Sequence, residues 1–396
     1  MHHRSGFFFT RFQMLKSPYS HGLHWFAILV ALCALGLIGM GGLVTSHGVG
    51  MAVPDWPTSY GYNMFALPIS MWLTGGVFHE HTHRLWASAL GVLVIALTRW
   101  IGGRQSRLPL AIIGGVEVVA GQALILLGGE WKGAGHFLSG IGGVVLLAAL
   151  VWAPNERSSR PLPTLAWLAF WGVQLQGLLG GLRVVLDAHL FAGTRLGVWF
   201  GVFHGCLAQA FLVLVVVIAV MSSRWWVERA TAAPGTARSK VLLFTTGLIF
   251  LQLIIGATMR HQHAGLAIPD FPKAYGAWWP DLSESAVTQY NANRVELSAH
   301  NPITAFQIGL QMVHRLVALT IAMLVGACLW RAKGALRRLC SAWFILIIIQ
   351  AGLGMWTIWS NKAADVATLH VITGALSLVT GAVICLISGK LSPTRD

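Results

Sequence analysis

Four histidines and one glutamate carry the chemistry this chain offers. His83 lies in FHEHTHRLWAS (78–88), where an apolar run begins, and His314 lies in the same His-Arg-Leu context further along. His204, in VFHGCLAQAF, and His370, in TLHVITGALS, stand near the starts of two other apolar runs. A lone histidine in such a place reads as a core residue bonded to a carbonyl; four in matched places read as a ligand set. Facing imidazoles on neighbouring helices of an apolar bundle are the arrangement that clasps a haem iron from both sides. Zinc wants three or four N, S or O ligands together, and the loop-side cysteines and clustered acids for that are missing from the pattern. Glu80 precedes His83 by three residues, on the same helical face and a turn further out, whereas Gln311 holds that place before His314. An acid at the edge of a membrane segment beside a ligand can exchange protons with whatever is bound there. Its plainer role is an i,i+4 ion pair with Arg84. One pocket that reacts and one that only carries electrons follows from that difference.

These residues need elements to hold them. The chain of 396 residues is 56% hydrophobic with only 10% charged residues. Apolar runs of about 20 residues cross a bilayer as helices, and ten are predicted near 24–45, 83–100, 109–128, 136–153, 164–186, 199–221, 241–259, 309–330, 341–359 and 367–388. The net charge of +14 invites a nucleic-acid reading, but its distribution argues against one. Arg4, Arg11, Lys16, Arg99, Arg104, Arg107, Arg157, Arg160, Arg224, Arg229, Arg238, Lys240, Arg331, Lys333, Arg337, Arg338, Lys390 and Arg395 fall on one side. The other side, with the longer loops, has Lys132, Arg195, Arg260, Lys273, Arg294 and Lys362. By the positive-inside rule both termini are cytoplasmic, and the cations face anionic lipid. The first 23 residues lack a cleavage pattern, so the first span reads as an uncleaved anchor. Cys33, Cys206, Cys328, Cys340 and Cys385 fall in or beside spans and suggest packing rather than a disulfide framework.

The spans repeat. VGMAVPDWPTSYG (49–61) and AGLAIPDFPKAYG (264–276) align without a gap at an offset of 215, and each precedes a span opening with His-Arg-Leu. Two prolines framing an aspartate cannot continue a helix, so each segment is an outer turn that re-enters the membrane. Asp55 and Asp270 shape these turns by accepting nearby N–H groups, and Trp56 and Phe271 cover the pockets from outside. LQGLLGGLRV (175–184) and IQAGLGMW (349–356) follow, each leading to a span with one histidine near its start. The unit is four helices with histidines on its second and fourth. An even number gives both copies the same orientation. Spans three and four (109–153) are an insertion in the first copy. The expected architecture is therefore an all-α polytopic membrane protein of two tandem four-helix bundles in parallel orientation. Its divisions are a tail (1–23), a first bundle (24–221), a cytoplasmic linker (222–240), a second bundle (241–388) and a second tail (389–396). His47, His79, His81, His189, His261, His263 and His300 read as loop-side, with His81 and His263 nearest a ligand edge, and His136 is unmatched. Arg84 and Arg315 are either interfacial cations or partners for haem propionates.

GLVTSHGVGMAVPDWPTSYG, EHTHRL, GLLGGLRV with FHGCLAQAF, GLAIPDFP, VHRLVA and LHVITGAL together resemble the haem A synthase family of bacteria and mitochondria. The resemblance covers most of the chain outside the first 20 residues and the insertion. It implies an eight-helix protein of two four-helix bundles. In that family the C-terminal bundle binds haem b through histidines that match His314 and His370. The N-terminal bundle receives haem O through the pair matching His83 and His204, with Arg84 adjoining it and with the acid at Glu80 needed for activity. The implied reaction oxidises the C8 methyl of haem O to a formyl group through an alcohol and a hydrated aldehyde. The implied setting is the bacterial inner membrane, or else the mitochondrial one, beside the farnesyltransferase that makes haem O and the assembly of cytochrome oxidase. Ten spans rather than eight, and no outer-loop cysteine pair, set this chain apart. A di-haem electron-transfer cytochrome and a haem transporter or chaperone are the competing readings; all four histidines on one side and the Glu80/Gln311 difference disfavour the first.

Overall fold

The computed structural model describes residues 19–129, 131–151, 161–191, 193–229, 240–294, 302–388 and 390. The charges read at Arg4, Arg11, Lys16, Arg157, Arg160, Arg238 and Arg395, and His300, lie outside these residues. Long helices occupy all ten predicted places: α1 His21–Ser46, α2 Gly75–Gly102, α3 Arg107–Leu127, α4 Trp131–Leu150, α5 Pro161–Val185, α6 Leu196–Met221, α7 Lys240–His261, α8 Ala305–Arg331, α9 Gly334–Trp359 and α10 Ala364–Ser388. Among the described residues nine apolar stretches are long enough to cross a membrane, and one of them, Gly75–Leu127, contains both α2 and α3. The chain is an all-α, multi-pass membrane protein. The ends are set by local chemistry. Ser20 accepts the Leu23 N–H at the start of α1, and Thr304 with Gln307 closes a capping box on α8.

α1, α2, α5 and α6 pack in a closed ring, as do α7, α8, α9 and α10, and the two rings meet through α1, α6, α7 and α10. The aliphatic core of each ring fills one half of its length. Val30, Val94, Leu97, Ala169, Leu212 and Val215 are buried together in the first ring. Ile249, Val325, Trp343 and Ile384 are buried in the second, where the Trp343 indole N–H donates to the Ser377 carbonyl at 2.9 Å. These residues are on the far side of each ring from the four histidines, so the imidazoles occupy the other half.

α3 and α4 form an antiparallel pair in intimate contact. Gly114, Gly121, Gly135 and Gly142 allow it: a Cβ on Gly142 would sit 2.7 Å from the Gly114 carbonyl oxygen and 2.8 Å from the Val118 nitrogen. Close backbone approach through small residues is how helices associate where lipid removes the hydrophobic driving force. The pair docks on the first ring mainly through α2, through a hydrogen bond from the Gln174 amide on α5 to Glu117 at 3.0 Å, and through Phe137, whose ring meets Trp56 edge-on at 5.1 Å. Its outer face, including Leu126 and Leu127, is exposed and apolar, suited to lipid.

Replacing Gly142 by Leu is expected to cost about 1–3 kcal/mol, because the atoms it strikes are backbone and cannot turn aside. Gly143, with nothing within 4 Å of its own Cβ direction, should accept Leu without penalty. Thermal unfolding of the two purified variants in detergent checks the contrast.

Candidate functional site

The four histidines meet in two pairs. His83 on α2 and His204 on α6 have ring centres 6.5 Å apart at an interplanar angle of 75°. His314 on α8 and His370 on α10 are 6.4 Å apart at 60°. Each ring rests on a glycine of a neighbouring helix. A Cβ on Gly41 would lie 3.2 Å from the His83 Cε1, and one on Gly180 3.3 Å from that of His204. The matching distances are 3.4 Å for Gly256 with His314 and 3.1 Å for Gly354 with His370. His204 Nδ1 is 3.2 Å from the Gln176 carbonyl oxygen, and His370 Nδ1 is 3.1 Å from that of Gln350. These bonds fix two of the rings, while His83 Nδ1 and His314 Nδ1 are buried without a partner.

This geometry suits a haem. A metal–imidazole bond of about 2.0 Å, with roughly 1.1 Å more to the ring centre, would separate the centres of two imidazoles on opposite sides of one metal by about 6.2 Å. Both pairs lie within a few tenths of an ångström of that value. Among the described residues no three His, Cys, Asp or Glu side chains gather as a ligand set, so two imidazoles are what each pocket offers. An iron held that way brings its remaining ligands with it, as the iron of a porphyrin does.

An outer loop is clamped over each pair in the same manner. Asp55 accepts the N–H groups of Tyr60 (2.6 Å) and Gly61 (2.8 Å), and Asp270 accepts those of Tyr275 (2.7 Å) and Gly276 (2.9 Å). The turn-shaping role read for these aspartates is the one they play. Tyr60 and Tyr275 hold left-handed backbone conformations, φ 53° and 52°, and donate their hydroxyls to the carbonyls of Ala52 and Ala267. Arg84 donates to the carbonyls of Asp55 (2.6 Å), Thr58 (3.1 Å) and Val53 (2.8 Å). Arg315 donates to those of Asp270 (2.7 Å) and Lys273 (2.9 Å). Both guanidinium groups thus hold loop backbone, and only the Arg315 Nε remains buried without a partner.

The two clamps differ at one place. Buried Glu80 forms the i,i+4 ion pair with Arg84, Oε1 to Nη2 at 2.6 Å, while its Oε2 accepts the Val53 N–H at 2.9 Å. In the other half buried Gln311 works alone: its Oε1 accepts the Ile268 N–H at 2.6 Å, and its amide donates to the Ile268 carbonyl at 3.4 Å. The amide serves both backbone groups of one residue, a task that takes an acid and an arginine in the first half. Above them, Trp56 lies against Gly181 and meets Phe137 of the inserted pair. Phe271 meets Trp359 of its own ring at 6.4 Å and lies under the Arg315 guanidinium.

The other histidines divide. His81 is buried, 3.3 Å from the Ser59 hydroxyl and edge-on to Trp72. His47 and His79 stack at 4.9 Å, and His136 and His189 are exposed. His261 is the last residue of α7, not a loop residue, and its ring lies against Gly201 of α6, three positions before His204. His263 is exposed, yet desolvation, then the nearby Lys362 charge, holds it below the usual imidazole value. Sequence reading also missed the four glycine seats, whose only signal was a glycine one helix away from every ligand, and Arg183, discussed below.

A family model described as "COX15-CtaA: Cytochrome oxidase assembly protein" matches residues 130–382, more than half of the chain. The chain belongs to this family. Among individual relatives, a Bradyrhizobium sp. (strain BTAi1) protein named heme A synthase is 29% identical over 300 residues, covering 67% of this chain and 70% of that protein. A protein of that name from Rhizorhabdus wittichii is 25% identical over 389 residues, 91% of this chain and 92% of its own length. A third, from Shewanella oneidensis, is 27% identical over 144 residues; the match spans 35% of this chain and 42% of that protein.

Two outcomes are expected. Gly354→Leu should unseat His370 and, where added haem occupies the second pocket, remove its low-spin bis-imidazole absorption, whereas Gly352→Leu, with nothing within 4 Å, should keep it. The second concerns Asp55. Its partial burial raises its pKa, but the Gly61 N–H, the Thr58 hydroxyl and the Tyr60 N–H outweigh that and hold it below the usual value. A depressed folded pKa means its stabilisation is complete above the unfolded value of about 3.9 and is lost as pH falls through the lower folded value. Asp55→Ala should therefore lower the thermal midpoint at pH 7, with the difference shrinking in that acid window.

Proposed function

We propose that the chain is a haem A synthase. In this reading His83 and His204 hold haem O as substrate, and His314 and His370 hold haem b as a resident cofactor. The C8 methyl of haem O becomes a formyl group, a four-electron oxidation whose oxygen atom comes from water or dioxygen and whose electrons go to an acceptor from outside the chain. The observation that carries the reading is the pair of matched imidazole pockets whose clamps differ by Glu80 against Gln311. Membership of the family and relatives named heme A synthase support it.

The haem b supplies one-electron redox chemistry that side chains lack. The protein's own work is binding, orientation and proton handling. The glycine seats fix the planes of the imidazoles. The loops carrying Trp56 and Phe271 close the outer ends and keep water from the rings. Turning a methyl into a formyl group takes hydrogen from carbon, so protons must leave the first pocket. Glu80, three residues from His83, is the carboxylate placed to accept them, through the oxygen that bonds the Val53 N–H or the one that faces Arg84. Gln311 cannot take up a proton, which suits a pocket that passes only electrons. Arg84 belongs to the substrate site as the residue that positions Glu80 and the loop, and the unpartnered Nε of Arg315 is a donor for a haem b propionate.

The same reading takes residues 24–221 as the substrate bundle, 241–388 as the haem b bundle, and 222–240 as the link between them. The bundles are tandem copies in parallel orientation, with both termini cytoplasmic. The membrane is the bacterial inner membrane, or in a eukaryotic setting the mitochondrial one. The supplier of substrate is the haem O synthase and the consumer is cytochrome oxidase assembly.

Glu80→Gln tests the proposal with little structural disturbance, because glutamine already fills that place in the other half. Co-expressed with a source of haem O, the variant should keep its bis-imidazole spectra and lose conversion about 100-fold or more, read by chromatography of extracted haems. Conversion at the wild-type rate by Glu80→Gln would remove the role of the acid. Accumulation of haem O with no oxidised product in the wild type would sink the synthase reading in favour of electron transfer or haem carriage.

A further inference from the structure

Where the two rings meet, on the side of the histidines, three cations converge. Arg183 is on α5, one turn beyond Gly180, which seats His204, and its guanidinium lies against Gly50. Arg260, next to last on α7, reaches across to α1, where it donates to the Gly42 carbonyl and to the Ser46 hydroxyl at 2.5 Å. Gly42 adjoins Gly41, the seat of His83. Lys362 is in the turn between α9 and α10, in a left-handed conformation with φ 61°. All three are partly buried. The Arg183 charge is felt at His83 and His204, and the Arg260 charge at His370. The Arg183 charge bears on Arg260, and the Arg260 charge bears on Lys362, so the three lie within electrostatic reach of one another.

Among the described residues no carboxylate forms an ion pair with them. Among the described residues the ion pairs are Arg84–Glu80, Arg195–Asp187 and Arg224–Glu228. Glu80 and Asp187 are the acids whose charge reaches Arg183, and each is already bound to another arginine. Burial, then the Arg260 charge, holds the Lys362 ammonium below its usual value. Three like charges in partly buried positions, with no acid bound directly to any of them in the described structure, are destabilising and make a focused attraction for an anion. Guanidinium groups suit carboxylates in particular, through paired N–H donors.

We propose that Arg183, Arg260 and Lys362 form a single anion site, shared between the pockets, that binds the carboxylate side chains of the porphyrins held there. The inference rests on the haem reading above and adds to it a common anchor, through which each porphyrin's carboxylates sense the other's. Arg260 bridges from one ring to the other rather than facing lipid, which favours a porphyrin carboxylate over a lipid phosphate.

The test compares iron protoporphyrin IX with its dimethyl ester, each titrated into the purified full-length protein in detergent and followed by the bis-imidazole absorption band. The wild type should bind the diacid at least tenfold more tightly than the ester. In Arg183→Gln/Lys362→Met that ratio should fall toward one, and Arg183→Lys should restore part of it. Lys362→Met alone, which breaks no side-chain hydrogen bond of the described structure, carries the test if the double variant is unstable. Equal binding of diacid and ester by the wild type, or an undiminished ratio in the variants, overturns the shared anion site. Absence of the band with either porphyrin instead overturns the haem reading, and this inference falls with it.

Discussion

The room that an imidazole needs between two membrane helices governs this structure. A histidine ring can stand inside an apolar bundle only where the facing helix gives up its side chain, and each of the four rings has such a place: Gly41, Gly180, Gly256 and Gly354. The consequence spreads outward. Helices that must meet at glycines on one half of their length recover their stability on the other half, where Leu97, Leu212, Val325 and Trp343 are buried. The helices are thereby divided along their length into a half that packs aliphatic side chains and a half that holds the paired imidazoles. Glycine is a poor helix former in water. Its cost is tolerable here because unsatisfied backbone in lipid would cost far more.

The duplicated halves show how much of a site is scaffold. Loop, aspartate, tyrosine and arginine recur with the same bonds, save the Arg84 bond to the Val53 carbonyl, and they serve one mechanical end, the closing of a turn over a pair of rings. The residue three before the first histidine departs from the pattern, and that arginine bond departs with it. Gln311 meets both backbone groups of Ile268 with one neutral side chain. Glu80 meets one such group and must rely on Arg84 for the other. On stability alone the amide is the simpler solution, so the acid points to a requirement beyond the fold. The inserted α3–α4 pair adds a second asymmetry: the aromatic wall beside Trp56 is Phe137 from the insertion, whereas Phe271 finds Trp359 within its own ring.

Much of this was legible in the sequence, for definite reasons. Long apolar runs give helices because lipid leaves few alternatives, and all ten helices lie where the runs predicted them. The histidines stood out because imidazoles are rare in such runs, and the repeat tied them into sets. The i,i+4 partnership of Glu80 and Arg84 followed from helical spacing. What escaped were properties of assembled space. A glycine seat looks like any other glycine until the ring against it is known. His261 looked like a loop residue because its polar neighbours hid the last turn of α7, and only tertiary contact with Gly201 explains it. Arg260 and Lys362 were read as topology-setting charges, and Arg183 as part of a glycine-rich helix. Their convergence depends on how two rings of helices meet, which no local pattern encodes.

The loop clamp also has a mechanical meaning. Arg84 follows His83 directly, and its guanidinium grips three carbonyls, of Val53, Asp55 and Thr58, that straddle Trp56. Histidine and cover are therefore parts of one lever. The cover cannot rise while the ring stays still unless that grip is released, so any motion admitting a porphyrin from the loop side must either turn the outer end of α2 as a body or bend the loop at its ends. Gly48 and Gly61, at φ 68° and 77°, are the joints on which such a lever would swing.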